Sequence, residues 1–257
     1  MLILIAESKS MNHALHDVSA SRLASHTPLW QAGADMIMSE LVGLSVAEIG
    51  SRLGIGPKSA KAMADDVYDF ANRATGIEAV DGFTGVVFKS FDPRSLDESA
   101  RLVMNRRLRI ISSLYGWLRP DDIIKPYRLD FTAKAAPGGV AMSRFWCKDV
   151  TTSLMDEIDA SGVNEVVNLL PMDASKCIDW KLVKKHADVL VPNFRVQRGE
   201  QLVTPNSTLL KTLRGQLLRH IICDDLRDSN ALRGLTTADL VYVSDEPQPG
   251  HLQFVTA

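Results

Sequence analysis

The sequence predicts an α/β (mixed α+β) fold, in which a mixed sheet is surrounded by helices, and three observations predict it. Short apolar runs typical of buried strands alternate with longer segments whose apolar residues recur at helical spacing. This alternation continues through all 257 residues without an internal repeat or a low-complexity tract. Near the end, two apolar segments flank a Pro-Gln-Pro-Gly turn, as in an antiparallel pair. We therefore expect one domain, residues 1–257.

The first half of the chain begins with a central strand and continues mainly with helices. Residues 2–5 are an uninterrupted apolar run typical of a buried strand, whereas residues 13–28 are polar and unpatterned. Ser45, with Glu48 three positions later, is a capping-box signature that begins a short helix ending near Gly54. The remaining predicted elements are helices at 29–44, 58–73 and 97–108 and strands at 85–88 and 108–114.

The second half of the chain alternates more regularly between helix and strand. Thr204-Pro205 precedes the longest helical pattern, in which Leu213 and Leu217 belong to one apolar stripe. The predicted elements are helices at 146–158 and 206–226 and strands at 163–169, 189–196, 240–243 and 251–255.

Composition excludes several classes of protein. Hydrophobic residues make up 46% and charged residues 23% of the chain, as in ordinary globular proteins, so wholesale disorder is not expected. The apolar start is too short for a signal peptide, and no segment approaches the length of a membrane span, so we predict no membrane partner. The three cysteines are far apart and outside any Cys-x-x-Cys pair, which favours a reducing, cytoplasmic location.

No metal or cofactor is expected from the residue pattern. His13 and His16 are the nearest pair of histidines, and they lie in a polar stretch in which a solvated surface pair is the commoner arrangement. Iron storage needs clustered histidines and carboxylates at helical spacing, which the chain lacks. The formal net charge of −2 means that binding to a polyanion requires a local basic patch.

The sharpest local pattern joins the two helices predicted between residues 45 and 72, and it resembles a helix-hairpin-helix DNA-binding element. Gly54 and Gly56 allow a tight turn and a close approach of the backbone to a phosphate. The free amides that open the second helix would face that anion, with Lys58, Ser59 and Lys61 beside it. An ordinary pair of antiparallel helices uses the same glycines as caps, so both interpretations stay open.

A second pattern is a basic segment interleaved with aromatic residues, and such a segment grips phosphates and stacks on exposed bases. Its members are Arg101, Arg106, Arg107, Arg109, Tyr115, Trp117, Arg119, Lys125, Tyr127 and Arg128. The four arginines from 101 to 109 fit a solvated helix face better, because that is the commoner use of a charge run. The loop at 114–120 directly follows a predicted buried strand, where binding sites are usually placed.

These residues also give the chain a resemblance to a known family. The matching blocks are Met1-Leu2-Ile3-Leu4-Ile5 with Lys9, Leu114-Tyr115-Gly116, Leu118-Arg119-Pro120, Pro126-Tyr127-Arg128-Leu129, Phe145-Trp146, Asn168-Leu169, and Lys211 with Arg214-Gly215. In this order they resemble the YaaA peroxide-stress protein family over nearly the whole chain. The resemblance implies a single YaaA-like domain in the cytoplasm that limits oxidative DNA damage, lowers free iron, and binds DNA through a basic cleft and a helix-hairpin-helix element.

The chain departs from the family pattern at several places, including the last helix, where Leu210 replaces the alanine before Lys211. The Ser-Pro-Ala-Lys start of the family is here Ala6-Glu7-Ser8-Lys9, and Cys147 replaces the glycine after Phe-Trp. After the Asn-Leu strand, residues 170–173 read Leu-Pro-Met-Asp instead of carrying an acidic and aromatic pair. The chain thus resembles a divergent member that retains the basic residues.

We predict a protein that binds duplex or distorted DNA through its phosphates, without sequence specificity, rather than an enzyme. The hairpin contact would be made by Gly54, Gly56, Lys58, Ser59 and Lys61. The cleft would be lined by Lys9, Arg119, Arg128, Lys211 and Arg214, with Tyr115 and Tyr127 in the same blocks.

Three alternatives stay open. The cleft residues would also suit an enzyme that acts on a nucleotide or nucleobase, with a small-molecule ligand in the cleft and a lysine as proton carrier or nucleophile. A DNA glycosylase with lyase activity would use Lys58 as its nucleophile, but Gly76 stands near the spacing at which an aspartate is needed, and Asp81 follows later. A pure interaction module would expose an apolar patch.

Overall fold

The structure is a computed structural model that describes residues 1–19 and 26–256, and its strands belong to two sheets. The strands are β1 (Leu2–Ala6), β2 (His16–Asp17), β3 (Thr75–Glu78), β4 (Leu108–Ser112), β5 (Gly116–Leu118), β6 (Ile123–Ile124), β7 (Glu165–Asn168), β8 (Asp188–Arg198), β9 (Gln201–Val203), β10 (Val241–Asp245) and β11 (His251–Thr256). Part of the polar stretch at 13–28, residues 20–25, lies outside the described residues.

Helices surround the larger sheet. They are α1 (Gln31–Ser39), α2 (Val46–Leu53), α3 (Pro57–Asp69), α4 (Ala79–Gly82), α5 (Val86–Phe91), α6 (Glu98–Arg107), α7 (Met142–Ser161), α8 (Met172–Ser175), α9 (Trp180–Val183), α10 (Ser207–Cys223) and α11 (Ser229–Arg233). Short 3₁₀ turns occur at Pro93–Ser95 and Pro137–Gly139. Within the described residues, none of these helices combines the length and apolar character needed to cross a membrane.

The larger sheet has a parallel centre and antiparallel edges. Its order is β10-β11-β8-β7-β1-β4-β5, and β9 pairs with β8 outside this path. The five strands from β11 to β4 run parallel, whereas β5, β9 and β10 pair antiparallel with their neighbours. A second, antiparallel sheet has the order β2-β3-β6. The mixed α/β class expected from the sequence is confirmed.

Strand β1 lies in the middle of the parallel region, as its apolar run predicts. Ile3 faces Leu108 of β4 on one side and Val167 of β7 on the other. Residues 2–5 are almost completely buried, because helices cover both faces of a parallel sheet. The carboxyl end of β1 therefore emerges beside that of β7, which positions the residues that follow it.

One predicted strand is a helix. Residues 85–88 were expected to be extended, but Gly85 is the N-cap of α5 and the chain turns helical after it. Phe88 and Phe91, three residues apart, both face the core, which is a helical and not an alternating pattern of burial. Gly215 of α10 makes this packing feasible, because a Cβ there would lie only 2.4 Å from the carbonyl oxygen of Val87.

The expected solvated arginine face is wrong for two of its four members. Arg107 is buried, donates to the carbonyl of Met1 at 3.1 Å and pairs with Asp225 at 3.0 Å. Arg109 is buried on β4 and forms an ion pair with Glu157 of α7. Each of these charges is buried because a partner from a distant part of the chain satisfies it.

Candidate functional site

The hairpin between α2 and α3 is a tight and closely packed turn. The predicted capping box is present, since the Ser45 hydroxyl accepts from the Glu48 amide and Glu48 accepts from the Ser45 amide at 2.8 Å. Gly54 ends α2 in the left-handed region with φ of +66°, a conformation that favours glycine. A Cβ on Gly50 would lie 3.3 Å from that of Ala60, so the two helices are in close contact.

The outer surface of the hairpin is open and carries two lysines. Gly56 is exposed, and a Cβ built on it would meet no atom of the described residues within 4 Å. It is the N-cap of α3, which has proline at N1 and no side chain capping its first amides. Lys58 and Lys61 are exposed, and Lys61 has only a loose, solvent-accessible ion pair with Asp65 at 3.7 Å. The helix-hairpin-helix assignment remains a prediction, because this geometry also suits an ordinary helical hairpin.

A cavity of about 300 Å³ lies at the carboxyl ends of β1 and β7, between α5 and α10. We call it the β1 cavity. In open sheets with a parallel centre, ligands bind in the crevice outside the carboxyl ends of the strands. Its polar lining consists of Glu7, Ser8, Lys9, Ser10, Asp130, Asp173, Lys211 and Arg214.

The β1 cavity brings together three of the five predicted cleft cations, namely Lys9, Lys211 and Arg214. Arg128 adjoins it, because its guanidinium donates to the carbonyl of Lys9 at 2.6 Å. Arg119 does not line it. That side chain is exposed after β5, where its guanidinium lies 6.0 Å from the centre of the Trp117 ring.

The two predicted tyrosines support the site from within. Tyr115 is fully buried, and its hydroxyl accepts from the amide of Lys125 at 3.2 Å. Tyr127 is also buried and meets Tyr115 edge to face, with ring centres 5.8 Å apart. Neither ring is available for stacking on a base. The ammonium group of Lys125 is likewise buried against Asp69 at 2.6 Å.

The cations of the β1 cavity differ in how fully they are neutralised. Lys9 forms an ion pair with Asp130. In the described part of the chain, neither Lys211 nor Arg214 has a carboxylate within 4.0 Å. The only protein hydrogen bond of Arg214 in that part is a long one of 3.5 Å to the carbonyl of Leu170. Burial lowers the pKa of Arg214, and the charge of Asp173 partly counters this.

Sequence reasoning missed Glu7, which follows β1 directly and lines the cavity. Its Oε2 accepts from the Ser113 amide at 2.9 Å and from the Tyr127 hydroxyl. Burial raises the pKa of Glu7 to about 7, and its hydrogen bonds only partly counter this. The signal was present in the sequence, because Glu7 stands at a departure from the Ser-Pro-Ala-Lys pattern. Among the described residues, no group of three or more His, Cys, Asp or Glu side chains is arranged to hold a metal ion.

The fold and this site define a mixed-sheet α/β protein with a polar cavity at the carboxyl edge of its parallel strands. Comparison with known proteins assigns the family: the family model described as peroxide stress protein YaaA matches residues 1–246. The chain belongs to this family, as its sequence blocks indicate.

Several relatives in the comparison are UPF0246 proteins. That of Parabacteroides distasonis is 30% identical over 244 residues, covering 94% of each chain. That of Rhizorhabdus wittichii is 28% identical over 261 residues and covers 99% of each chain. A Shewanella baltica relative is 32% identical over 182 residues, 70% of each chain. The similarity to the first two extends over nearly the full length of this chain.

Proposed function

We propose that this protein acts in the peroxide stress response by binding DNA through its phosphates, without reading sequence. Membership of the peroxide stress protein family supports the first part. The DNA partner, duplex or distorted, is inferred from the hairpin between α2 and α3. The free cysteine thiols at 147, 177 and 223 are consistent with the reducing cytoplasm as the place of action. The resemblance of the sequence blocks extends the proposal to iron homeostasis.

The single observation that carries DNA binding is the open surface of the hairpin. Gly54 and Gly56 leave free space where other residues would place a Cβ, so a phosphate can approach the backbone closely. Among the described residues no side chain caps the first amides of α3, and the dipole of this helix favours an anion at its start. Lys58 and Lys61 add two positive charges that make no base contacts.

The test is retention of labelled duplex and branched DNA as salt is raised, using the double variant Lys58→Ala/Lys61→Ala. Each lysine that neutralises a phosphate contributes about one unit to the slope of log affinity against log salt. We therefore expect the slope to fall by about two units, equally for unrelated sequences. Lys184→Ala, at an exposed lysine after α9, is the matched control and should leave the slope unchanged.

A second variant tests the backbone approach directly. Gly56 has φ of −69°, which any residue adopts, and it has open space around it, so Gly56→Val should fold normally. Its branched side chain would fill the space that the phosphate needs, so DNA retention should fall at every salt concentration. Unchanged retention in both variants would refute the assignment of the hairpin as the DNA contact.

A further inference from the structure

The hydrogen bonds around Glu7 have a definite direction. The Ser112 hydroxyl oxygen accepts two backbone amides, from Leu114 at 3.2 Å and Tyr115 at 3.0 Å. Its own proton is therefore directed to the Tyr127 oxygen, 2.7 Å away. Burial and the neighbouring Glu7 raise the pKa of Tyr127 well above its ordinary value, so its hydroxyl stays protonated and donates to Glu7 Oε2.

This arrangement determines which oxygen of Glu7 carries a proton. Oε2 already accepts from Tyr127 and from the Ser113 amide, so it has little capacity to hold a hydrogen of its own. When Glu7 is neutral, its proton sits on Oε1. Glu7 is partly exposed and lines the β1 cavity, so its carboxyl group lies within reach of a ligand in that cavity.

The facing wall supplies the charge for an anion. Lys211 and Arg214 are three residues apart on α10 and thus lie on one face of that helix. Neither has a carboxylate within 4.0 Å in the described part of the chain, and Arg214 makes only the long bond to Leu170 there, so most of their donors are available to a ligand. The fork of an arginine beside the point charge of a lysine suits a group with several oxygens and two negative charges.

We propose that the β1 cavity binds a phosphate monoester, held by Lys211 and Arg214, and that Glu7 exchanges a proton with it from Oε1. The cavity volume of about 300 Å³ fits a small molecule. The monoester has two sources, a free nucleotide or the phosphorylated end of a DNA strand. This proposal does not rest on DNA binding by the hairpin, because it uses different residues on another part of the fold.

Proton exchange makes binding depend on pH. A protonated Glu7 donates to the anion, whereas a deprotonated Glu7 repels it, so affinity should fall as pH rises through the pKa of about 7. The charged and titratable groups around Glu7 are Tyr127, the paired Lys9 and Asp130, Cys177, Asp173, Lys211 and Arg214. Burial raises the pKa of Cys177 far above neutrality and raises that of Glu7 to about 7, so Glu7 changes its charge near neutral pH.

The experiment is calorimetric titration of the full chain with adenosine 5′-monophosphate, with adenosine as the matched ligand that lacks the phosphate. Lys211→Gln and Arg214→Gln should each weaken monophosphate binding about tenfold or more, because each removes a charged hydrogen bond. Lys211 is exposed, so its variant tests the proposal even if the partly buried Arg214 is needed for folding. Lys184→Gln is the control, and Asp173→Asn should tighten binding by removing a repelling charge.

Glu7→Gln tests the proton directly, since glutamine keeps the shape but does not titrate. As pH rises from about 6.5 to about 8, the affinity of the wild type for the monophosphate should weaken more than that of Glu7→Gln. The variant should also lack the proton uptake that accompanies binding to the wild type, which is measured by titration in buffers of different ionisation enthalpy. Equal pH dependence and equal proton uptake in the two proteins would overturn the role of Glu7.

Parallel titrations with 5′-phosphorylated and 5′-hydroxyl oligonucleotides distinguish the two sources. Binding of the free nucleotide, or preference for the phosphorylated oligonucleotide alone, supports the site and names its source. Absence of both would overturn it. The Lys58→Ala/Lys61→Ala hairpin variant should retain monophosphate binding, so failure of the hairpin proposal and failure of the cavity proposal give different results.

Discussion

Gly215 lies where α10 passes closest to α5, and alanine at this position is expected to force the two helices apart. A Cβ there would lie 2.4 Å from the carbonyl oxygen of Val87 and 2.7 Å from the Cβ of Ser90. The nearest atom belongs to the backbone, so no change of rotamer relieves the contact. The helices must separate by most of an ångström to restore an ordinary contact distance.

The expected cost combines two opposing terms. Overpacking of this kind destabilises a protein by about 1–3 kcal/mol. Replacing glycine by alanine within a helix gains about 1 kcal/mol of helix propensity. We therefore expect Gly215→Ala to lower the free energy of unfolding by up to about 2 kcal/mol. Urea denaturation measures it as a lower midpoint with an unchanged m-value.

Gly234→Ala is the matched control. Gly234 has φ of −82°, and the nearest atoms to its Cβ position are ordinary contacts at 3.5 and 3.7 Å. Alanine there should be neutral or stabilising by up to about 1 kcal/mol, because it restricts the unfolded chain. If Gly215→Ala were more stable than the wild type, or as stable as Gly234→Ala, the close packing of α5 on α10 would be refuted.

Two further predictions concern stability. Burial raises the pKa of Asp122 to about 7 in the folded protein. Above that pH the folded state holds a buried carboxylate, which lowers the free energy of unfolding. This cost disappears as pH falls toward about 4, the pKa of the group in the unfolded chain. In urea denaturation, Asp122→Asn should thus be more stable than the wild type at about pH 8, by at most about 4 kcal/mol, and equally stable near pH 4. The same difference in stability at both pH values would contradict this. Ser45→Ala removes the cap of α2 and should cost about 0.5–2 kcal/mol in thermal or urea unfolding, whereas Glu48→Gln, which preserves a capping acceptor, should cost less.

Local patterns predicted most of the elements, because each carries its own signal in the sequence. The apolar run of β1, the capping box at Ser45 and the apolar stripe of α10 depend on neighbours within a few residues. The closing pair is confirmed for the same reason, since β10 and β11 flank a turn rich in proline and glycine and pair antiparallel. No long-range information was needed for these elements.

The predictions that were wrong concern residues whose structure depends on distant partners. Residues 85–88 contain two valines and a phenylalanine, which favour a strand, but they lie in a helix that packs against Gly215, more than 120 residues away. The burial of Arg109 depends on Glu157 of α7, and that of Lys125 on Asp69 of α3. No local sequence pattern around Arg109 or Lys125 predicts these partners.

The candidate site was predicted in part. The hairpin residues follow from glycine spacing, and Lys9, Lys211 and Arg214 followed from the family resemblance. Their meeting at one cavity required the sheet order, which brings the end of β1 beside β7. In the sequence, Glu7 and Asp173 stood out only as departures from the family pattern. Their effect on the site required the structure, in which burial raises the pKa of Glu7 and the charge of Asp173 acts on Arg214.

The central position of β1 also has a consequence for how the chain reaches its native state. Ile3 pairs with Leu108, and Leu2 with Val166, so this strand precedes its two partners by more than a hundred residues. During synthesis the apolar run at 2–5 has no strand to pair with until β4 and then β7 have been made, and parallel pairing of high contact order forms slowly. Among the strands that the structure describes, β1 thus waits longest for its pairing partners, and a ribosome-associated chaperone would shield it best by remaining bound until β7 has emerged.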